Sequence, residues 1–313
     1  MISFRIIFLD KNNSKSDYIN ICMFDFHNFF RNFNINSTKK FKEIFDTLKI
    51  YFKTRVDEFL DGLKKTRRGR KRNINWDHFF TCLFFMTDNS MKMSYIKEYF
   101  HIAKSTYYYY FDLLSKSRFL EIIYSEIVLQ YSQLTPIKYL ITDTFTVKSM
   151  SGSDGVGRSC TDRGRKGLKV SLICDQNLVT YAVHLEPANK HDSKILIPTI
   201  QSSISVLNGK SCLADSGYAG SKYISKIEKN TGVKLLSKPK KTRNNLIMSH
   251  CVSQQESEMI KEKRNNIERL NGNIRNFRGL MIKYTTKVSS YLTYLYVALI
   301  CISCYNIVQS QKL

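Results

Sequence analysis

At Pro136 the hydrophobic rhythm of the chain changes, so neither an all-α nor an all-β fold accommodates it. Upstream, Phe41, Ile44, Phe45, Leu48, Phe52, Val56, Phe59 and Leu60 recur every three to four positions. They predict an amphipathic helix over residues 38–63, with Ser37 or Thr38 as N-cap and Gly62 at its end. Shorter helices are expected over 76–86, around 95–100 and over 105–114, the last capped by Ser105. Downstream the period is two. Tyr139, Ile141, Asp143, Phe145 and Val147 alternate with Leu140, Thr142, Thr144 and Thr146. Strands over 169–175 and 178–186 follow, joined by a Gln176-Asn177 hairpin turn. A helix over 192–203, a strand over 211–214, a helix over 222–230, a strand over 233–236 and a long helix over 256–277 complete the order.

Charge narrows the partner. The 313 residues carry 49 Lys and Arg against 26 Asp and Glu, a net +23, and 43% hydrophobic residues suffice for a packed core. A polyphosphate is the natural acidic partner. Seven of the positive charges fall within residues 64–72, where Arg67, Arg68, Arg70, Lys71 and Arg72 flank Gly69. Such a run can follow phosphates, or serve as a solvated linker or import signal. The short helices after it, with a tight turn at His101-Ile102-Ala103, look like a helix-turn-helix reader in which Ser105, Thr106 and Tyr107 meet the DNA. Arg163, Arg165, Lys166, Lys169, Lys238, Lys240, Lys241 and Arg243 are further phosphate candidates. Eight scattered cysteines, with no secretion signal, read as reduced thiols of an intracellular protein. The apolar stretch over 288–308 contains Ser289, Ser290, Thr293, Ser303 and Asn306, and reads as a buried helix rather than a membrane span.

Three acids carry the chemistry. Asp143 shares a strand face with Ile141 and Phe145, where an ionised carboxylate is costly unless a cation or hydrogen bonds satisfy it. Asp215 ends an apolar strand before Ser216-Gly217-Tyr218-Ala219-Gly220, where glycines permit a sharp turn. Glu268 borders the apolar stripe Ile260, Ile267, Leu270, Ile274 and Phe277 of the long helix. Carboxylates without a His/Cys cluster suit Mg²⁺ or Mn²⁺ rather than zinc, two ions ~3.5–4 Å apart being the arrangement for phosphodiester chemistry. Read without further context, the same acids also fit a strand hydrogen bond, a turn cap and a pair with Arg264. Asp192 reads as a structural cap of the helix that follows His191.

Longer motifs surround these acids. Thr142-Asp143-Thr144-Phe145-Thr146-Val147, Gly164-Arg165-Lys166-Gly167-Leu168-Lys169-Val170 and Ala188-Asn189-Lys190-His191-Asp192-Ser193 stand in order. Leu213-Ala214-Asp215-Ser216-Gly217-Tyr218 and Arg264-Asn265-Asn266-Ile267-Glu268-Arg269 follow. Residues 67–130 and 136–308 together resemble an insertion-sequence DDE transposase related to Harbinger elements. Intervals of 71 residues between the aspartates and 52 before Glu268 agree with it. Where related enzymes carry Tyr before the motif Arg and Lys after the Glu, this chain has Lys261 and Arg275.

The resemblance implies an RNase H-like mixed α/β sheet flanked by helices, after a small all-α helix-turn-helix-like domain. The boundaries expected are 1–63 for an N-terminal segment, 64–135 for DNA binding and 136–313 for catalysis. It further implies Asp143, Asp215 and Glu268 as catalytic residues and ligands of two Mg²⁺ ions, replaceable by Mn²⁺. Arg264 and Arg275 join the DNA contacts, and the expected partners are transposon ends and target DNA. A homo-oligomer follows, since two ends need two active sites, located with DNA in nucleoid or nucleus according to host. A decayed DNA-binding copy and a stand-alone Mg²⁺-dependent nuclease are the alternatives. Intact acids speak against the first, and terminal repeats beside the coding region would exclude the second.

Overall fold

The structure is a computed structural model and describes residues 40–62, 74–90, 93–152, 154–160, 162–218, 220–237 and 253–310. Helix α1 (Lys40–Gly62) turns its apolar stripe inward, burying Phe45, Leu48, Phe52 and Val56 completely. Its expected N-cap, Ser37 or Thr38, lies outside the described residues, and Gly62 is its last residue. Helix α2 (Trp76–Asn89) starts at Asn75, whose Oδ1 accepts from the backbone N–H groups of Asp77 and His78 at 3.0 and 3.2 Å. Helices α3 (Ile96–Phe100), α4 (Lys104–Lys116) and α5 (Phe119–Leu134) follow. Helix α4 begins one residue before its expected start, with Ala103 at the N-cap position. Ser105 therefore lies inside the first turn and does not cap it.

After Pro136 the sheet forms. Strand β1 (Leu140–Ser149) pairs antiparallel with β3 (Lys166–Asp175), and β3 with β4 (Thr180–Pro187). Strands β5 (Ser211–Ala214) and β6 (Lys234–Ser237) add in parallel on the other side of β1. The resulting order β4-β3-β1-β5-β6, an antiparallel meander followed by parallel strands, is the RNase H-like arrangement. Two-residue strands β2 (Gly157–Arg158) and β7 (Ile282–Lys283) pair with the ends of β3 and β1. The hairpin between β3 and β4 is wider than the expected two-residue turn. Asp175 Oδ1 accepts from the N–H groups of Asn177 and Val179, both at 2.9 Å, and Leu178 takes a left-handed φ of 62°. That delays β4 to Thr180.

Helices α6 (Asp192–Gln201), α7 (Ile204–Leu207) and α8 (Ser221–Thr231) connect β4, β5 and β6. The helix expected over 256–277 is two helices, α9 (Gln254–Lys263) and α10 (Asn265–Asn276), meeting at Arg264, whose φ of −62° and ψ of −33° remain helical. After the short α11 (Arg278–Met281) comes α12 (Val288–Ser310), which packs against α1, α2, α4, α5 and α10. It is long and apolar enough to cross a membrane, yet 83% of its most apolar window is buried inside the protein. The helices before Pro136 and the sheet after it consequently share one continuous core.

Candidate active site

Two of the three acids arrive on neighbouring parallel strands. Leu140 pairs with Cys212 and Ile141 with Leu213. Asp143 stands two residues beyond Ile141 in β1, and Asp215 two residues beyond Leu213, directly after the end of β5. Strand β5 has ended there, and Asp215 opens a 3₁₀ turn over Ser216–Tyr218. Its Oδ1 accepts from the N–H of Ser216 at 2.6 Å, and its carbonyl from the N–H of Tyr218 at 2.9 Å. Gly217 and Gly220 both keep ordinary backbone angles, so this turn does not draw on glycine's left-handed conformations.

The third acid sits on α10. Arg264, Glu268 and Asn271 follow at i, i+4 and i+7, one stripe of a helix. Arg264 Nη1 lies 3.3 Å from Asp215 Oδ1, and Asn271 Nδ2 donates to Asp143 Oδ2 at 2.9 Å. The outer members of the stripe thus contact the two aspartates, with Glu268 between them in sequence. Glu268 itself is exposed, because Ile267, Leu270, Asn271 and Ile274 occupy the packed face. Arg264 takes Asp215 as its partner. Among the described residues, no three His, Cys, Asp or Glu side chains gather closely enough to hold a metal ion.

Asp143 is half-buried, and burial pushes its carboxyl above the ordinary range. The neighbouring charge of Asp215 acts in the same direction. The Thr144 backbone N–H, the Arg264 charge and the Asn271 amide oppose it. Two carboxylates that sense one another's charge, with no soft ligand beside them, form a donor set suited to a hard divalent cation. Tyr218, at the end of the 3₁₀ turn, is buried, which raises its hydroxyl pKa, and the nearby Asp192 and Asp143 charges add to the effect.

The sequence matches the family described as "Transposase DDE domain" over residues 136–303, more than half of the chain. The chain belongs to this family. It is therefore a transposase, an enzyme of DNA cleavage and strand transfer, and transposases of this kind depend on divalent metal. A sequence comparison with curated proteins gives no match. Among solved structures, the transposase is similar to a piggyBac transposase synaptic complex with hairpin DNA (12% identity, 87% of this chain and 75% of that one, TM-score 0.48). It is also similar to the Mos1 strand transfer complex (8% identity, 80% and 89%, TM-score 0.24). A third is the Mos1 mariner paired-end complex with Mn (10% identity, 75% and 86%, TM-score 0.24).

The transposase's sequence-derived DNA contacts fall into three groups. Arg67, Arg68, Arg70, Lys71 and Arg72 lie outside the described residues, as do Lys238, Lys240, Lys241 and Arg243. Ser105, Arg165, Lys166 and Arg275 are exposed and Thr106 is half-buried. Tyr107 is a correction. It is completely buried, stacked on Phe111, with its hydroxyl 3.3 Å from that of Tyr294, so it cannot meet a groove. Tyr108 and Tyr109 are the exposed tyrosines of that helix. Asp192 is a second correction. His191 occupies the N-cap position and accepts from the N–H of Ser193, while Asp192, the first helical residue, pairs with Lys169 Nζ at 2.7 Å. Asn271 is a site residue that sequence motifs do not mark. Its signal in the sequence is an amide four residues after Ile267 and three before Ile274, on a core-facing stripe.

Proposed function

We propose that this transposase is active, with Asp143 and Asp215 as the first ligands of two divalent ions, Mg²⁺ with Mn²⁺ as substitute, and with Glu268 closing on them from α10 when the ions bind. The observation that carries the reading is the parallel register of β1 and β5 together with the contacts of the α10 stripe to both aspartates. Bound there, the ions would activate a water or 3′-hydroxyl and stabilise the leaving oxygen of a phosphodiester. The exposed Arg165, Lys166 and Arg275 would hold the DNA backbone. Arg264, half-buried with Nη1 on Asp215, would add its positive charge beside the phosphates.

Residues 64–135 would bind transposon ends, residues 136–313 would cut and join, and residues 1–63 would precede both. Through α12, the end-binding helices pack directly on the catalytic half. Two transposon ends call for two active sites, hence a homo-oligomer on DNA, in whichever compartment holds the host's DNA. Kinship with Harbinger elements rests on the motifs around the acids. The test is a gel assay with terminal repeats flanking the coding sequence, supercoiled target and Mg²⁺. Asp143→Asn, Asp215→Asn and Glu268→Gln should each bind ends and fail to cut or join. Cutting without joining by the wild type would favour a nuclease, and full activity of Glu268→Gln would remove that residue from the site.

A further inference from the structure

We infer that Asn271 is a positioning residue for the reaction, orienting the carboxylate of Asp143 for the cation. The inference rests on the reading of Asp143 as a metal ligand. Asn271 is 7% exposed, on a helix face otherwise made of Ile267, Leu270 and Ile274. Its Nδ2 donates to Asp143 Oδ2 at 2.9 Å, joining α10 to the middle of β1. Its Oδ1 is buried and has no hydrogen-bond partner among the described residues.

The bond, not the packing, is what an amide supplies at this place. An apolar side chain of the same shape, such as Leu, would continue the stripe but leave Asp143 Oδ2 without its donor. Nor could Leu hold the Asp143 carboxylate plane, the service that outer partners of metal ligands perform.

The test uses the full chain and Mn²⁺ as the probe, with free Mn²⁺ read by electron paramagnetic resonance and unfolding followed thermally. For Asn271→Leu, a cooperative unfolding transition is expected to remain, with Mn²⁺ affinity weaker by roughly 10–100-fold. A lowered Tm with unchanged Mn²⁺ affinity would make Asn271 a packing residue and overturn the inference. Asp143→Asn separates the two layers of the argument. If it loses Mn²⁺ while Asn271→Leu retains wild-type affinity, the positioning role alone fails. If Asp143→Asn binds Mn²⁺ as the wild type does, the ligand reading fails and takes the positioning role with it. Should Asn271→Leu not fold, Asn271→Ala answers to the same two measurements.

Discussion

Ile141 and Leu213 are direct partners in parallel strands, and two residues beyond each stand Asp143 and Asp215. The meeting of the two acids is thus a property of sheet register. Because side chains alternate with period two, a one-residue slip of β5 would send its side chains to the opposite face. The buried Cys212 and Leu213 hold that register by packing.

Asp143→Asn keeps the shape and hydrogen-bonding reach of the side chain and removes its charge. A metal ligand contributes several kcal/mol of transition-state stabilisation, so cleavage in Mg²⁺ should fall by about 10³-fold or more. End binding, read by gel shift, should stay within a factor of about two, since Asp143 lies on the sheet and the exposed cations lie elsewhere. Cleavage at the wild-type rate would dismiss Asp143 from the mechanism.

Arg264 and a cation compete for Asp215. Both partners of the ion pair are about a third or more exposed, which limits it to ~0.2–1 kcal/mol. Arg264→Ala should accordingly tighten Mn²⁺ binding by up to about fivefold while slowing DNA cleavage, because the same guanidinium is then missing from the phosphates. A fall in both quantities would show that Arg264 supports the metal site instead of opposing it.

Much of this architecture is legible in the sequence. The change of period at Pro136 locates the sheet, and strands β1 and β5 fall within two residues of their expected bounds, since alternation and β-branched residues report directly on a half-buried sheet. What escapes is local. Within Tyr107-Tyr108-Tyr109-Tyr110, the i, i+4, i+7 spacing of Tyr107, Phe111 and Leu114 marks the inward tyrosine, against the motif resemblance that sets Tyr107 on DNA, while its partners Phe79 and Tyr294 are far away in sequence. The Asn271–Asp143 bond spans 128 positions and leaves no trace in either neighbourhood.

The tyrosines supply a stability contrast. Tyr107 is buried against Phe79 and Phe111, so Tyr107→Ala should cost about 3–5 kcal/mol in denaturant unfolding. Tyr109 is 66% exposed, and Tyr109→Ala should stay within about 0.5 kcal/mol. If α4 faces DNA, Tyr109→Ala should instead reduce the ratio of specific to non-specific binding. Equal stability losses would contradict the packing of α4.

Asp175 couples stability to pH. It is completely buried, and desolvation pushes its carboxyl from 3.8 up to about 6, against hydrogen bonds from Val179, Tyr131 and Asn177. A folded-state pKa above the unfolded one favours the protonated form. The contribution is therefore fully present below about pH 4 and lost as pH rises through about 6. The difference corresponds to about 3 kcal/mol. Asp175→Asn, neutral throughout and still able to accept from both N–H groups, should be more stable than the wild type at neutral pH by up to that amount. The gap should close near pH 4. Urea titrations at the two pH values measure it, and a gap that widened on acidification would reverse the sign of the argument.

The basic run offers the sharpest test of how labour is divided. Residues 64–72 include no candidate metal ligand, so replacing Arg67, Arg68, Arg70 and Arg72 with Ala should leave the catalytic acids untouched. If these arginines neutralise phosphates, the variant should bind all DNA sequences more weakly and by similar factors. The slope of log K against log salt should flatten by about 0.9 for every phosphate no longer neutralised, because neutralisation is what releases the condensed counterions. Changes at Thr106 or Tyr109 should leave that slope nearly as it is and lower only the preference for transposon ends. Binding titrations at two salt concentrations, with end DNA and with random duplex, separate the two effects. A wild-type slope in the four-arginine variant would make the run a linker or import signal. The phosphates would then be met by Arg165, Lys166 and Arg275, where the same titration on their Ala variants should recover the missing slope.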